Sequence, residues 1–301
     1  MPERPKRREL RWKTLGSGWD TFIILRGIVG ESTKNPSGAR IIGIVTAVNR
    51  NDDRAWQALA ACDMAELRAD FFDPDRIAVE ARAFREECRR RLGRVPETIL
   101  TIRLRRDGGA WPDDQAAGRE RIWQSLSAEE KDPFCDWFDI EAEEYPSLSP
   151  SLRAKLSEGG MRLLLSHHNM AGSYTPEGLR GLLESMSAHR PAGIKVAVTC
   201  ADRKELLELL AFAREVAAAT PNGCVLSMGP AGRPSRVLAP LLGCPLTYGY
   251  LSGESVAPGQ LSTRSLGGFF GTLPSGGLDG LTDARLADWA EARIPGEEIA
   301  H

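Results

Sequence analysis

Ile194-Lys195-Val196-Ala197-Val198-Thr199 is a short apolar run carrying a single charge, and it follows the turn signal Pro191-Ala192-Gly193. Its length and β-branched content predict a strand. Period-two alternation then puts Lys195, Ala197 and Thr199 on one face and Ile194, Val196 and Val198 on the other. A charged side chain is almost never buried without a partner or a task. An edge strand that lets Lys195 reach water is the plain alternative. The interior character of the run and the scarcity of Lys in this Arg-rich chain favour a desolvated amine, able to attack a carbonyl and form a Schiff base.

Outward from this strand the chain alternates regularly. Strand-like apolar runs fall at 41–48, 64–69, 98–104, 135–140, 161–165, 194–198, 224–228 and 246–250. Helix-forming stretches lie between them at 53–61, 75–92, 113–127, 150–158, 175–187, 202–219 and 234–242. Asp53, Asp75, Asp113, Ser149, Thr175 and Asp202 are placed as N-caps, and Pro150 suits a first helical position. Eight such units predict an α/β protein with a parallel sheet closed into a single (β/α)8 TIM barrel over 39–270. An open doubly wound sheet is disfavoured, because no Gly-rich phosphate turn follows the first strand. Residues 1–38 read as a basic, flexible extension with no assigned function. The segment 271–301 reads as a loop plus a C-terminal helix, with the Gly-rich stretch 267–280 as loop and 282–294 as the helix.

Composition narrows the function. The 301 residues are 42% hydrophobic, enough for a sizeable core, and the net charge of -2 gives no pull toward nucleic acid or an anionic membrane. No apolar stretch reaches membrane-spanning length. The six cysteines stand singly with no CxxC, which predicts reduced, buried thiols in a cytoplasmic protein rather than disulfides or a zinc site. A small-molecule substrate is the natural expectation.

In a barrel of this kind the chemistry sits at the carboxyl ends of the strands. Those ends are polar here. The second strand ends in Glu66, Arg68 and Asp70, which share a face; the third ends at Arg103 and runs into Asp107-Gly108-Gly109. The fourth carries Asp139 and Glu141, the fifth Ser166-His167-His168-Asn169, and the sixth Lys195. The seventh leads to Arg233 and Arg236, and the eighth to Ala257-Pro258-Gly259-Gln260. Each alone has a bland reading: Glu66 with Arg68 as a buried ion pair, Asp139 with Glu141 as solvated, Arg236 as a surface residue. Together they make surface decoration the less economical account. His167 and His168 point to opposite strand faces, so the pair does not suit one metal ion.

These residues, in this order, resemble the type I 3-dehydroquinases. The pieces that carry the resemblance are Glu66-Leu67-Arg68 with Asp70, Thr101-Ile102-Arg103 with Gly108-Gly109, Asp139-Ile140-Glu141, Ser166-His167-His168-Asn169, Ile194 to Val198, Gly232-Arg233-Pro234-Ser235-Arg236 and Ala257-Pro258-Gly259-Gln260. The resemblance spans residues 40 to 266. It implies a (β/α)8 barrel, commonly a homodimer, that dehydrates 3-dehydroquinate to 3-dehydroshikimate in the shikimate pathway, with no metal or organic cofactor. It implies Lys195 as the Schiff-base lysine, His168 as general base and acid, and Asp107 as the carboxylate that orients the imidazole. Substrate contacts fall to Glu66, Arg68, Arg103, Arg236 and Gln260, with Arg68 steadying Glu66, Arg236 on the substrate carboxylate and 252–260 as a lid.

The chain also departs from that pattern. Asp107 stands where Glu is usual, Val256 where a substrate-binding Ser is usual, and the first strand offers only Ile44 or Thr46 where a hydroxyl is expected. Two rival readings stay open: another Schiff-base barrel enzyme, such as an aldolase with a phosphate turn at 229–232, and a non-catalytic barrel that binds a shikimate-like ligand or a partner.

Overall fold

The computed structural model describes residues 38–127, 134–158, 161–253, 255, 257–273 and 281–294; the expected extension, except for Gly38, and Val256 lie outside them. Eight strands form the wall: β1 (Arg40–Val45), β2 (Met64–Arg68), β3 (Glu97–Thr101), β4 (Trp137–Glu141), β5 (Arg162–Asn169), β6 (Gly193–Thr199), β7 (Gly223–Met228) and β8 (Leu246–Tyr250). The order β7-β6-β5-β4-β3-β2-β1-β8 is parallel throughout, and a two-residue β9 (Leu261–Ser262) adds to the free edge of β8. Strands β7 and β8 come together without a ladder of their own. Their junction is tied through the next helix, where Ser235 Oγ accepts from Ser227 N at 2.8 Å and Thr247 Oγ1 donates to the Arg236 carbonyl at 2.7 Å.

Helices α1 (Asp53–Leu59), α2 (Ile77–Leu92), α3 (Gly118–Leu126), α4 (Pro150–Glu158), α5 (Pro176–Ser187), α6 (Arg203–Ala219) and α7 (Ser235–Leu241) alternate with the strands. Each turns an apolar stripe to the sheet; α6 buries Leu206, Leu209, Leu210, Phe212, Ala213 and Val216. A second, smaller core fills the barrel, built from alternate strand residues such as Ile42, Met64, Ile99, Trp137, Leu164, Ala197 and Tyr248. Ile194, Val196 and Val198 belong to the outer core, so the alternation of β6 turns Lys195 inward.

The predicted elements need local corrections. The cap of α1 is Asp52, whose side chain accepts from Arg54 N, and the 74–76 and 113–115 starts are single 3-10 turns ahead of α2 and α3. Thr175 and Asp202 cap α5 and α6 as expected. The larger correction concerns the Gly-rich stretch from 267, expected as loop. Residues up to Gly271 belong to α8 (Thr263–Gly271), capped by Ser262 and anchored by Leu266, Phe269 and Phe270. Gly267, Gly268 and Gly271 face open space, so the missing side chains cost the helix no packing. Helix α9 (Asp283–Glu291) lies along α6, with Asp288 at 2.6 Å from Arg203 and Asp283 at 2.7 Å from Arg214. All six cysteines are buried free thiols, and no described helix is long and apolar enough to cross a membrane.

Candidate active site

The inward-turned Lys195 stands on the floor of a cavity of about 180 Å³ at the carboxyl ends of the strands. Lys195 is 6% exposed, and its Nζ lies 3.1 Å from Asp139 Oδ2 and 3.5 Å from Glu66 Oε1. The register of β5 on β6 sets Ser166 opposite Lys195 and His168 opposite Ala197, which places the imidazole one step further toward the mouth on the same inward face. Arg68, Arg103, Asp107, Arg236 and Gln260 line this cavity as well. The structure thus sets Lys195, His168, Asp107, Glu66, Arg68, Arg103, Arg236 and Gln260 around one cavity.

Their contacts differ from expectation at two points. Arg68 makes its hydrogen bonds to Asp70 rather than to Glu66, in a two-pronged pair at 2.8 and 2.7 Å, and acts on Glu66 through its charge alone. Glu66 is held instead by the Thr101 hydroxyl at 2.9 Å. The carboxylate on His168 is not Asp107 but Glu141, whose Oε1 lies 2.9 Å from Nδ1. Asp107 sits on the short turn after β3, with Arg106 at 3.7 Å as its nearest ion partner. Of the two residues proposed for the missing hydroxyl, Ile44 lines the cavity, whereas Thr46 Oγ1 accepts from Asn49 N in a turn beyond β1.

Arg103 knits this floor together. It pairs with Asp139 at 2.8 Å and with Glu141, and donates to Ser166 Oγ at 3.0 Å. Burial alone would raise the Asp139 carboxyl, but the Arg103 and Lys195 cations outweigh it and hold the group at about 2. Burial, with Arg103 and Lys195 nearby, pushes His168 well below its ordinary value, so its imidazole is neutral at pH 7. Nδ1 of that neutral ring sits between Glu141 Oε1 at 2.9 Å and Arg103 Nη1 at 3.1 Å, so the tautomer is set by which of the two it meets. His167 faces the other way, engaging Glu143 and, at 3.0 Å, the Tyr174 hydroxyl. Among the described residues no cluster of three His, Cys, Asp or Glu side chains is arranged to hold a metal ion.

Arg236 is a buried guanidinium with no carboxylate partner among the described residues. Its Nη2 donates to the Pro258 carbonyl at 3.4 Å, its Nε has no partner, and burial pulls it down to about 10. An uncompensated buried cation is costly unless an anion arrives to meet it. That anion is not accommodated as a phosphate on the 229–232 turn. The N–H groups of Gly229, Gly232, Arg233 and Ser235 all donate to carbonyls, at Pro258, Gly229, Pro230 and Gly232.

Two contributors carried no clear signal in the sequence. Arg119 of α3 is fully buried and donates to the Ile102 carbonyl at 2.7 Å while pairing with Glu144, which fixes the end of β3 just before Arg103. Tyr248 of β8 presents its ring to Lys195, with 4.1 Å between Nζ and the centroid. Alternation along 246–250 would have turned it inward, but nothing in that run marks it as more than core.

A parallel sheet curled into a barrel, with an amine, an imidazole and a guanidinium gathered at its carboxyl mouth, is the architecture of a (β/α)8-barrel enzyme. Residues 42–273 match the model of the type I 3-dehydroquinases, and the chain belongs to that family of hydro-lyases. The 3-dehydroquinate dehydratase of Pyrobaculum aerophilum is 31% identical over 85% of this chain and 79% of its own. That of Methanothrix thermoacetophila is 31% identical over 68% of this chain and 79% of its own. Among solved structures, the 3-dehydroquinate dehydratase of Geobacillus kaustophilus shares the fold with a TM-score of 0.65 at 24% identity, over 78% of this chain and 91% of that one.

Proposed function

We propose that this chain dehydrates 3-dehydroquinate to 3-dehydroshikimate, in the shikimate pathway, through an imine on Lys195. The observation that carries the proposal is that Lys195 and His168 open onto one cavity that also holds Arg236, a buried guanidinium with no carboxylate partner among the described residues. Family membership supplies the substrate; the geometry supports the roles. Arg236 takes the ring carboxylate, and its planar fork suits that task better than an ammonium would. Gln260 and Glu66 meet ring hydroxyls.

The chemistry requires loss of a proton beside a ketone and of a hydroxyl one carbon further on. A ketone alone is a poor electron sink, whereas its iminium with Lys195 draws the electron pair into an enamine. Asp139, held at about 2, stays ionised throughout and balances the cationic nitrogen. The neutral imidazole of His168, steadied at Nδ1 by Glu141 and Arg103, removes the proton and returns it to the departing hydroxyl, help worth roughly 10²- to 10⁴-fold. Arg103 and Arg68 act through carboxylates: Arg103 on Asp139 and Glu141, Arg68 on Asp70. Buried thiols favour a reducing compartment, the cytoplasm, and the resemblance carries an expectation of a homodimer.

The test is direct. Purified chain supplied with 3-dehydroquinate should generate the ultraviolet absorbance of a conjugated enone, and Lys195→Ala should abolish it. Absence of that absorbance with the unaltered chain overturns the proposal.

A further inference from the structure

Three groups surround Lys195 Nζ, and only two are acids. The third is the face of Tyr248, 4.1 Å from nitrogen to ring centroid, on a residue that is 3% exposed. Its hydroxyl is buried with no hydrogen-bond partner among the described residues, so hydrogen bonding does not explain its place. Burial, with Glu66 nearby, keeps the phenol well above its ordinary range, which leaves a neutral ring beside the nitrogen at working pH. A neutral ring offers the nitrogen no proton and no formal charge, only the negative face of its π system.

We propose that Tyr248 is a catalytic group through that face, which holds part of the positive charge of the iminium formed on Lys195. The inference rests on the Schiff-base reading above. In that step the ammonium and the ketone give the iminium and one water: a C–N bond forms, the carbonyl oxygen leaves, and the nitrogen keeps the charge. The state between them, a carbinolamine, is neutral because one proton has passed to His168, which returns it to the departing oxygen. A ring face stabilises a cation against a neutral group of the same shape, and in a desolvated site the effect is at its largest. Asp139 and Glu66 lie at hydrogen-bond and ion-pair distance from the nitrogen and serve the resting ammonium as well. The aromatic face therefore favours the iminium, in which the proton beside the ketone becomes acidic, over the neutral carbinolamine.

The experiment replaces residue 248 by phenylalanine and by phenylalanines bearing one, two and three ring fluorines, which drain the face of electron density at nearly constant shape. Tyr248→Phe, which keeps the ring face and removes only the hydroxyl, is the reference against which the fluorinated series is read. The fluorinated series should lower kcat stepwise, by roughly 3- to 30-fold at the third fluorine, with KM little changed. A flat series in an active chain overturns the inference alone. A large loss in Tyr248→Phe also overturns it, by assigning the role to the hydroxyl. An unaltered chain with no turnover removes the Schiff-base reading and this inference together.

Discussion

At the scale of single residues, the site depends on which carboxylate meets the imidazole. Glu141 is 4% exposed, and its Oε1 touches His168, Arg103 and Ser166, whereas Asp107 is partly open on a turn. Glu141→Ala should therefore lower kcat by about 100-fold or more, the scale of losing a positioned acid-base partner, and Asp107→Ala by clearly less. Steady-state kinetics of the two variants decides the order. The pH dependence follows from the same contacts. Burial, with the Arg103 and Lys195 cations, pushes His168 well below 6.5, so the acid limb of kcat/KM should fall below pH 6.5. The unfolded chain binds a proton that the folded site excludes. The stability linked to His168 is therefore present above pH 6.5 and lost as pH falls toward the folded value. Lys195, His168 and Arg236 were legible because strand ends in such a barrel are where polar side chains gather. The Glu141 contact was not, because it needs the register of β4 on β5, with Glu141 opposite Ser166, which residue spacing does not specify.

Elements hold these residues by close backbone approach as much as by hydrogen bonds. The turn after β3 folds back on itself: Gly109 N donates to the Leu104 carbonyl at 2.8 Å and Trp111 N to the Arg103 carbonyl at 3.0 Å. A Cβ on Gly109 would collide with the backbone of Arg103, so Gly109→Ala should displace that guanidinium. The expected outcome is a loss of at least about tenfold in kcat, since a shift of about 1 Å near the chemistry can cost about 100-fold. Circular dichroism should meanwhile show the barrel intact. Undiminished kcat would mean the turn does not position Arg103. Strands and most helices were legible from hydrophobic period and caps. Helix α8 was not, because its glycines mimic a loop while Leu266, Phe269 and Phe270, at helical spacing, do the anchoring.

At the largest scale, the described residues from 38 onward form one parallel wall whose interior is packed below and open above. The apolar layers of Ile42, Met64, Ile99, Trp137 and Leu164 fill the barrel, and the charged floor of Lys195, Asp139, Glu66 and Arg103 lies on top of them. Pairing two cations with three carboxylates, Glu141 included, makes that burial tolerable, and it leaves Arg236 as the cation that waits for a ligand. The barrel itself was legible from eight alternating units, because only parallel strands with helical crossovers satisfy that order. The closure between β7 and β8 was not, since it relies on contacts through Ser235 and Thr247 rather than on a ladder. The imine proposed on Lys195 is a covalent bond to the substrate, and reduction would make it permanent. Borohydride added during turnover of 3-dehydroquinate, followed by peptide mass mapping, tests this most directly. One reduced adduct is expected, on the peptide containing Lys195; turnover with no adduct, or an adduct on another lysine, rules out the imine on this residue.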